Sequence, residues 1–423
     1  MFLNFAACAL FVGITLLSLA KDPSPLRPTA LFGIIWALII ASATLIPFGT
    51  LSLKPEAISV FVVGGIAFAL AGEVADLAIG DGVFAPPSPT VMRTIQRAAL
   101  AYNMALLLLV PVFISVLLQA MDTLQLDDFA VAARFALGPE RERLQIPHYF
   151  QSFTSLGAIL ALATAWTYQG SRADRIALAL SIPGPLAMSV LTFARSPVVS
   201  LLVSVAMVLA IRGRVSRRSL LTGVCLTLVL ALVMGSLLSK GPDLDAVASP
   251  AQGFARSMGL YFGGGALGFS AAMDQPYRVT EPGLAYTFIT QLANWFGLVK
   301  TLPDPILGDV TAELGNVYTF YFSYWADAGW IGVILGASAA GFATNTLYLL
   351  ARRQSLLACV AFGVAAQTLF LQGTADPLFG SSVPWLLIFF VIGGLQLGAR
   401  MLDGMRARRQ REPFDLDDAS AVK

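Results

Sequence analysis

The chain has 423 residues, of which 57% are hydrophobic and 12% charged, with a formal net charge of +2. An ordinary soluble domain is about one quarter charged, so this chain has too few charges to cover an apolar interior in water, and its near-neutrality gives no electrostatic case for nucleic acid. One histidine, His148, and three cysteines, Cys8, Cys225 and Cys359, all three in apolar runs, leave no inventory for a zinc-type ligand cluster. The cysteines read as small buried hydrophobes.

Apolar runs near twenty residues recur along the whole chain, each long enough to cross the hydrocarbon layer as a helix. A closed β-barrel would instead show alternating ten-residue strands. The reading is therefore an all-α polytopic integral membrane protein with about eleven transmembrane helices. In chain order the predicted spans are roughly 2–20, 29–48, 57–76, 98–120, 149–169, 176–193, 196–211, 219–238, 328–350, 355–372 and 382–399. No positive residue precedes the first run and Lys21 follows it directly, so it reads as a helix and not as a signal peptide.

The placement of Lys and Arg orients these spans. With the N-terminus outside, the cytoplasmic turns hold Lys21, Arg27, Arg93, Arg97, Arg172, Arg175, Arg212, Arg214, Arg217, Arg218, Arg352 and Arg353. The tail adds more, so that 18 of the 27 basic residues fall inside and the C-terminus is cytoplasmic. The chain then divides into 1–238, spans one to eight with an outer loop at 121–148; 239–327, a large outer loop; 328–400, the last three spans; and 401–423, a solvated tail. Leu126–Leu137 is compatible with a short amphipathic surface helix. No internal repeat and no inverted halves of the secondary-transporter kind are visible.

The large loop holds six of the ten tyrosines, Tyr261, Tyr277, Tyr286, Tyr318, Tyr321 and Tyr324, together with Trp295 and Trp325. Such residues form interfacial aromatic belts; they also suit a groove in which rings stack on the C–H faces of sugars. Arg195 separates two apolar runs, and Ser196 and Pro197 behind it are helix-start signals. A guanidinium at the positive end of a helix dipole is unfavourable unless an anion is bound there. A pyrophosphate would fit; an arginine that snorkels to the interface is the competing reading.

Arg256 lies in Ala248–Phe262, which is expected to lie along the membrane as a helix ending in Tyr261-Phe262-Gly263-Gly264-Gly265. The three glycines would allow a tight turn or a close approach to ligand. Arg278 follows further on. Among the outer carboxylates, Asp327 stands at the start of a span, in Tyr324-Trp325-Ala326-Asp327-Ala328-Gly329. There it would pair with an arginine, carry a raised pKa, or simply cap the next helix. His148, at the start of a span, is a general-base candidate with a structural role as the commoner alternative.

The stretch Leu314-Gly315-Asn316-Val317-Tyr318-Thr319-Phe320, leading into Asp327-Ala328-Gly329-Trp330-Ile331-Gly332, resembles the Asn-Val/Thr-Tyr-Thr and Asp-x-Gly-x-x-Gly pattern of bacterial oligosaccharide repeat-unit polymerases, the Wzy-type O-antigen and exopolysaccharide polymerases. Tyr261-Phe262-Gly263-Gly264 and Gly268-Phe269 are similar to that family's aromatic–glycine stretch. Thr192–Pro197 stands where the family opens a helix with a Ser/Thr-x-Ser-Arg-Gly-like motif, with Ser-Pro here in place of the small residue or glycine. The resemblance covers roughly residues 190–350; the first 150 contribute only hydropathy.

The resemblance implies a GT-C-like polymerase architecture at the periplasmic face of the bacterial inner membrane. It implies transfer of a growing glycan from undecaprenyl pyrophosphate onto a lipid-linked repeat unit, with no metal, no nucleotide sugar and no other cofactor. The implied partners are the lipid-linked oligosaccharide, membrane lipids, a chain-length regulator and a flippase. Arg195 and Arg256 would stabilise the pyrophosphate, and Asp327 or Glu281 would serve as a weak base. Arg278, Tyr261, Asn316, Tyr318 and Tyr324 would bind substrate. Rival readings are an O-antigen ligase, disfavoured because residues 239–327 contain no histidine, a transporter or flippase for lipid-linked saccharide, and a scaffold for a polysaccharide complex.

Overall fold

A computed structural model describes residues 1–45, 51–79, 88–124, 149–191, 195–216, 218–220, 222–223, 226–227, 250–273, 290, 293–294, 296–298, 319–372 and 383–411. The helices are α1 (Phe2–Lys21), α2 (Pro28–Leu45), α3 (Pro55–Ala78), α4 (Pro89–Leu124), α5 (Tyr149–Thr167), α6 (Arg172–Ser181), α7 (Pro183–Leu191), α8 (Arg195–Ile211), α9 (Pro250–Ala272), α10 (Phe322–Arg352), α11 (Leu356–Phe370), α12 (Val383–Leu387), a π-helical turn (Ile388–Ile392) and α13 (Gly393–Arg411). Five of them open on proline, whose fixed φ and missing N–H suit a first helical position. Among the described residues there is no β-strand, and six helices are long and apolar enough to cross a membrane: Phe2–Lys21, Pro28–Leu45, Pro55–Ala78, Pro89–Thr123, Arg172–Leu191 and Phe322–Arg352. Four shorter apolar helices accompany them, Ser152–Thr167, Ser196–Ile211, Leu356–Phe370 and Val383–Gly398. The chain is thus a multi-pass helical membrane protein by length and composition.

Several expected spans change shape. The run at 176–193 is two helices, because Pro183 has no N–H to continue the ladder. The run at 98–120 is the middle of the 36-residue α4, which carries Pro111 inside it. The tenth predicted span appears as α11 and the eleventh as α12, the π turn and α13. The run at 219–238 lies largely outside the described residues, as does Leu126–Leu137.

Two cores hold the bundle together. One gathers around α5, α8 and α11, with Trp166, Val208 and Phe362 at its centre. Helix α11 is buried on nearly every face, as its uniformly apolar sequence requires. The other is aromatic and joins α1, α2, α3 and α10; Phe32 stacks on Phe68 with centroids 3.9 Å apart, and Phe11, Trp36 and Phe61 complete it. Helices α3 and α10 run parallel in close contact. Gly341 packs against the Phe68 backbone, and Gly72 meets Asn345 one turn on. Small residues let two helices approach this closely inside a membrane.

The helix ends fall into two sets. At one end Lys21 and Arg27 both pair with Glu73 and Asp76, joining α1, α2 and α3; the Lys21–Asp76 and Arg27–Glu73 separations are each 2.8 Å. Arg352 meets Asp22 at 2.6 Å, and the Tyr348 hydroxyl donates to the same carboxylate at 3.0 Å. Gln96 ties the start of α4 to Asp174 at the start of α6, and Arg212, just past α8, lies over the Trp166 ring of α5. This is the basic end. The sequence places most of these residues in turns on one side of the membrane, and the fold gathers them at one end.

Candidate functional site

At the far end the start of α10 folds back on itself. Ala328 and Gly329 leave helical geometry, and Gly329 has φ +56° and ψ −135°, a region open in practice to glycine. In a straight helix Tyr324 and Gly336 would stand about 18 Å apart. Instead the Tyr324 ring lies against Gly336 and its carbonyl against Gly332, so a side chain at either glycine would collide with Tyr324. Residues 319–327 therefore form a stub antiparallel to the body of α10, with Asp327, Ala328 and Gly329 at the bend.

The stub reaches deep into the bundle. The Tyr321 ring lies 4.9 Å from Trp36 and 5.8 Å from Phe61, centroid to centroid, and abuts Gly64. Trp36 lies nine residues before the end of α2, and Gly64 nine residues after the start of α3. At 1.5 Å per residue, Tyr321 sits about 13 Å inside the helix ends. This is a re-entrant segment. Backbone of this kind is tolerated at membrane depth where protein buries it or where it lines a cavity.

Around the stub, buried polar side chains lack hydrogen-bond partners. The Phe320 N–H donates to the Gln372 carbonyl at 2.8 Å, which brings the stub to the end of α11. Thr319 Oγ1, the Tyr321 hydroxyl, both amide atoms of Gln372 and Trp36 Nε1 are all buried and without a partner. Four of the nine buried residues with such atoms among those described gather at this one place. None of the four side chains is charged. Each unmade bond of this kind costs about 1–3 kcal/mol.

Two further elements border the stub. Helix α9 packs where α2 ends and α3 begins. The Ser270 hydroxyl donates to the Ser52 carbonyl at 3.1 Å and accepts from the Lys54 N–H at 2.8 Å. Phe269 touches Phe61 and Trp325. Helix α8 runs antiparallel to α11: Gly363 lies against Val208 and Ser204, and Ser204 Oγ reaches Gln367 Oε1 at 3.5 Å. Extended from that pairing, the start of α8 stands about one turn beyond the level of Gln372.

The residues expected from the sequence are distributed as follows. Arg195 is the first residue of α8, at the far end beside α11. Ser196 and Pro197 fall within the first turn and not ahead of it. Arg256 and Tyr261 lie on α9, which runs unbroken through Gly263, Gly264 and Gly265. The glycine run is therefore not a turn: a Cβ at Gly263 would stand 2.8 Å from the Ala43 nitrogen, so it brings α9 against α2. The helix expected to end at Phe262 continues to Ala272 and packs into the aromatic core. Asp327 is half-buried at the bend, and Tyr324 is buried, so it is a wall of the fold-back and not the lining of an open groove. Arg278, Glu281, Asn316, Tyr318 and His148 lie outside the described residues.

Sequence reasoning singled out neither Gln372 nor Trp36, quoted Thr319 only within the resembling stretch Leu314–Phe320, and placed Tyr321 only among the loop tyrosines. The available signal was the glycine series 329, 332 and 336 behind an aromatic stub. Chemically the arrangement offers neutral donors and acceptors among aromatic faces, with a basic helix start nearby. Compared with models of protein families, with curated proteins and with solved structures, the chain gives no match.

Proposed function

We propose that this chain is a metal-independent polymerase that joins undecaprenyl-pyrophosphate-linked oligosaccharide repeat units at the periplasmic face of the bacterial inner membrane, with the basic end and the C-terminus in the cytoplasm. One observation carries the reading. The described part of the stretch Leu314–Gly332 that resembles repeat-unit polymerases, Thr319–Gly332, contains the re-entrant stub, and it shares the far end of the bundle with the start of α8 at Arg195.

The reaction asks little of the protein beyond position and charge. The acceptor hydroxyl oxygen forms a bond to the anomeric carbon of the donor glycan as the bond from that carbon to pyrophosphate breaks. The pyrophosphate leaves with the electron pair on the carrier lipid. Arg195, Arg256 and the free N–H groups of the α8 start would take up its charge. Asp327 would receive the acceptor proton. Lipid-linked oligosaccharide is the substrate, and a flippase that delivers it and a chain-length regulator are the expected partners.

The test is polymer length made by purified protein from lipid-linked repeat units. Arg195→Ala is expected to lower the rate about 100- to 1,000-fold with insertion unchanged. Arg195→Lys should rescue poorly, since an ammonium does not match the bidentate fork of a guanidinium on two phosphate oxygens. Near-normal chains from the Ala variant would remove Arg195 from the site. In cells, loss of the gene should collapse the polysaccharide ladder to single units. A lipid-linked ladder that survives would mark a ligase, and inward-facing lipid-linked units would mark a flippase.

A further inference from the structure

We infer that Thr319, Tyr321, Gln372 and Trp36 form a subsite that binds the hydroxyl groups of an uncharged sugar ring within the bundle, at the root of the re-entrant stub. The inference rests on the polymerase reading and adds to it a sugar-binding role that the resemblance does not give these residues.

The four residues come from three neighbouring elements. Trp36 comes from α2, Thr319 and Tyr321 from the stub, and Gln372 from the chain just past α11. The Tyr321 ring stands against Trp36, and the Phe320–Gln372 backbone bond holds the stub to the α11 end. All four residues are at most 2% exposed, yet no polar atom of their side chains has a partner. Together they offer two amide N–H donors and one amide acceptor, two hydroxyls that donate or accept, and one indole donor. Buried polar groups are nearly always satisfied, and an unsatisfied group calls for a reason. Valine, phenylalanine and leucine would fill the places of Thr319, Tyr321 and Gln372 at no such cost.

The chemistry of the set selects its ligand. Without a cation among the four, a phosphate would be bound poorly here. Mixed neutral donors and acceptors between aromatic rings match vicinal hydroxyls on a ring with apolar C–H faces. The groups are closed from solvent as they stand, so a sugar reaches them when the stub swings away from α10 about Gly329.

Thr319→Val, Tyr321→Phe and Gln372→Leu, purified in nanodiscs beside the unsubstituted protein, separate the possibilities. The first measurement is the thermal midpoint without ligand. The second is the change in tryptophan emission on titration with glucose, galactose, mannose and lactose, and with the oligosaccharide released by mild acid from lipid-linked material of a strain lacking the gene. Inorganic pyrophosphate is the anionic control. Each variant is expected to unfold at or above the temperature of the unsubstituted protein, while its apparent affinity for the responding sugar falls at least tenfold. Higher midpoints with unchanged sugar response would mean that the pocket holds only water, and would overturn the inference. Lower midpoints would mean that the groups are bonded within the protein, and would overturn it too. So would an unsubstituted protein silent to every one of these sugars, or a response confined to pyrophosphate. Polymer length is read separately: a protein that binds sugar through these residues but makes no polymer sinks the polymerase reading and leaves the subsite standing.

Discussion

The two ends of the α1–α2–α3–α10 bundle differ in how they treat polar groups: one pairs its charges, although the Ser18 hydroxyl there has no partner, and the other concentrates neutral groups without partners. At the basic end, three cations (Lys21, Arg27, Arg352) meet three anions (Asp22, Glu73, Asp76), and the one fully buried member, Arg27, also donates to the Ser18 carbonyl at 3.4 Å. At the far end, four buried neutral side chains are left without partners around a segment that doubles back. The difference follows from cost. An unpaired buried charge is prohibitive, so a chain that places arginine inside a bundle has to pair it. An unpaired buried amide or hydroxyl costs far less, so a fold tolerates several where something else gains by them. The basic end is built to hold, and the far end keeps its bonding capacity open.

The largest expected effect tests the first half of that contrast. Arg27→Ala leaves Asp76, itself mostly buried, beside only Lys21, and breaking a buried pair in this way costs about 3–5 kcal/mol. The thermal midpoint of the purified protein should fall by many degrees. Adding Asp76→Asn to an Arg27→Met background should return much of the loss, because the uncompensated charge goes with it. If Arg27→Ala were neutral, the basic end would not be the clasp that the fold suggests.

Next in size is the bend. Gly329→Ala forces a side chain into φ +56°, at a cost of about 1–3 kcal/mol. The stub is bound to α10 through Tyr324 on Gly332 and Gly336, so strain at the bend falls on the far end alone. The expected outcome is a modest fall in midpoint with a larger loss of polymer synthesis and sugar binding. Equal losses in all three would erase the distinction between an end that holds and an end that works.

How much of this could be read from the sequence depends on which force shaped each element. Most spans were legible because hydropathy over twenty residues measures the quantity a bilayer selects, and the clustering of arginines was legible for the same reason. The α6–α7 break was signalled by Ser181-Ile182-Pro183-Gly184-Pro185, where two prolines interrupt the backbone ladder inside an apolar run. Helix α9 was misjudged because three successive glycines argue for a turn in water. In a bundle the same glycines are a contact surface, and only the partner, Ala43 of α2, decides between the two. The re-entrant stub was hidden because Tyr321–Ala326 reads as the end of the outer loop before the span at 328, and only the fold carries it back into the bundle. The unpartnered groups were the least legible, since Thr319 and Gln372 are ordinary loop residues until the fold encloses them. Arg195 and Asp327 came from helix-start chemistry and position, and the fold places both at the far end, at the first turn of α8 and at the bend of α10.

The smallest effect is the most exacting check on the division between the ends. Ser171 caps α6: its hydroxyl accepts from the Asp174 N–H at 3.1 Å, and Asp174 accepts in turn from the N–H groups of Ser171 and Gln169, each at 3.1 Å. The other oxygen of Asp174 accepts from Gln96, which fastens α6 to α4. Ser171→Ala removes one acceptor and should cost about 1 kcal/mol, whereas Ser171→Gly should cost only a few tenths. Asp174 keeps its bonds to Gln96 and Gln169 in both, so the α4–α6 fastening survives. Neither change touches the stub or the start of α8. Midpoints should therefore fall slightly in the order Ala below Gly, with polymer length and sugar affinity unaltered. A shift in polymer length at unchanged midpoint would show that the cap communicates with the far end, about a membrane's thickness away, and the separation of holding from working would fail on its mildest test.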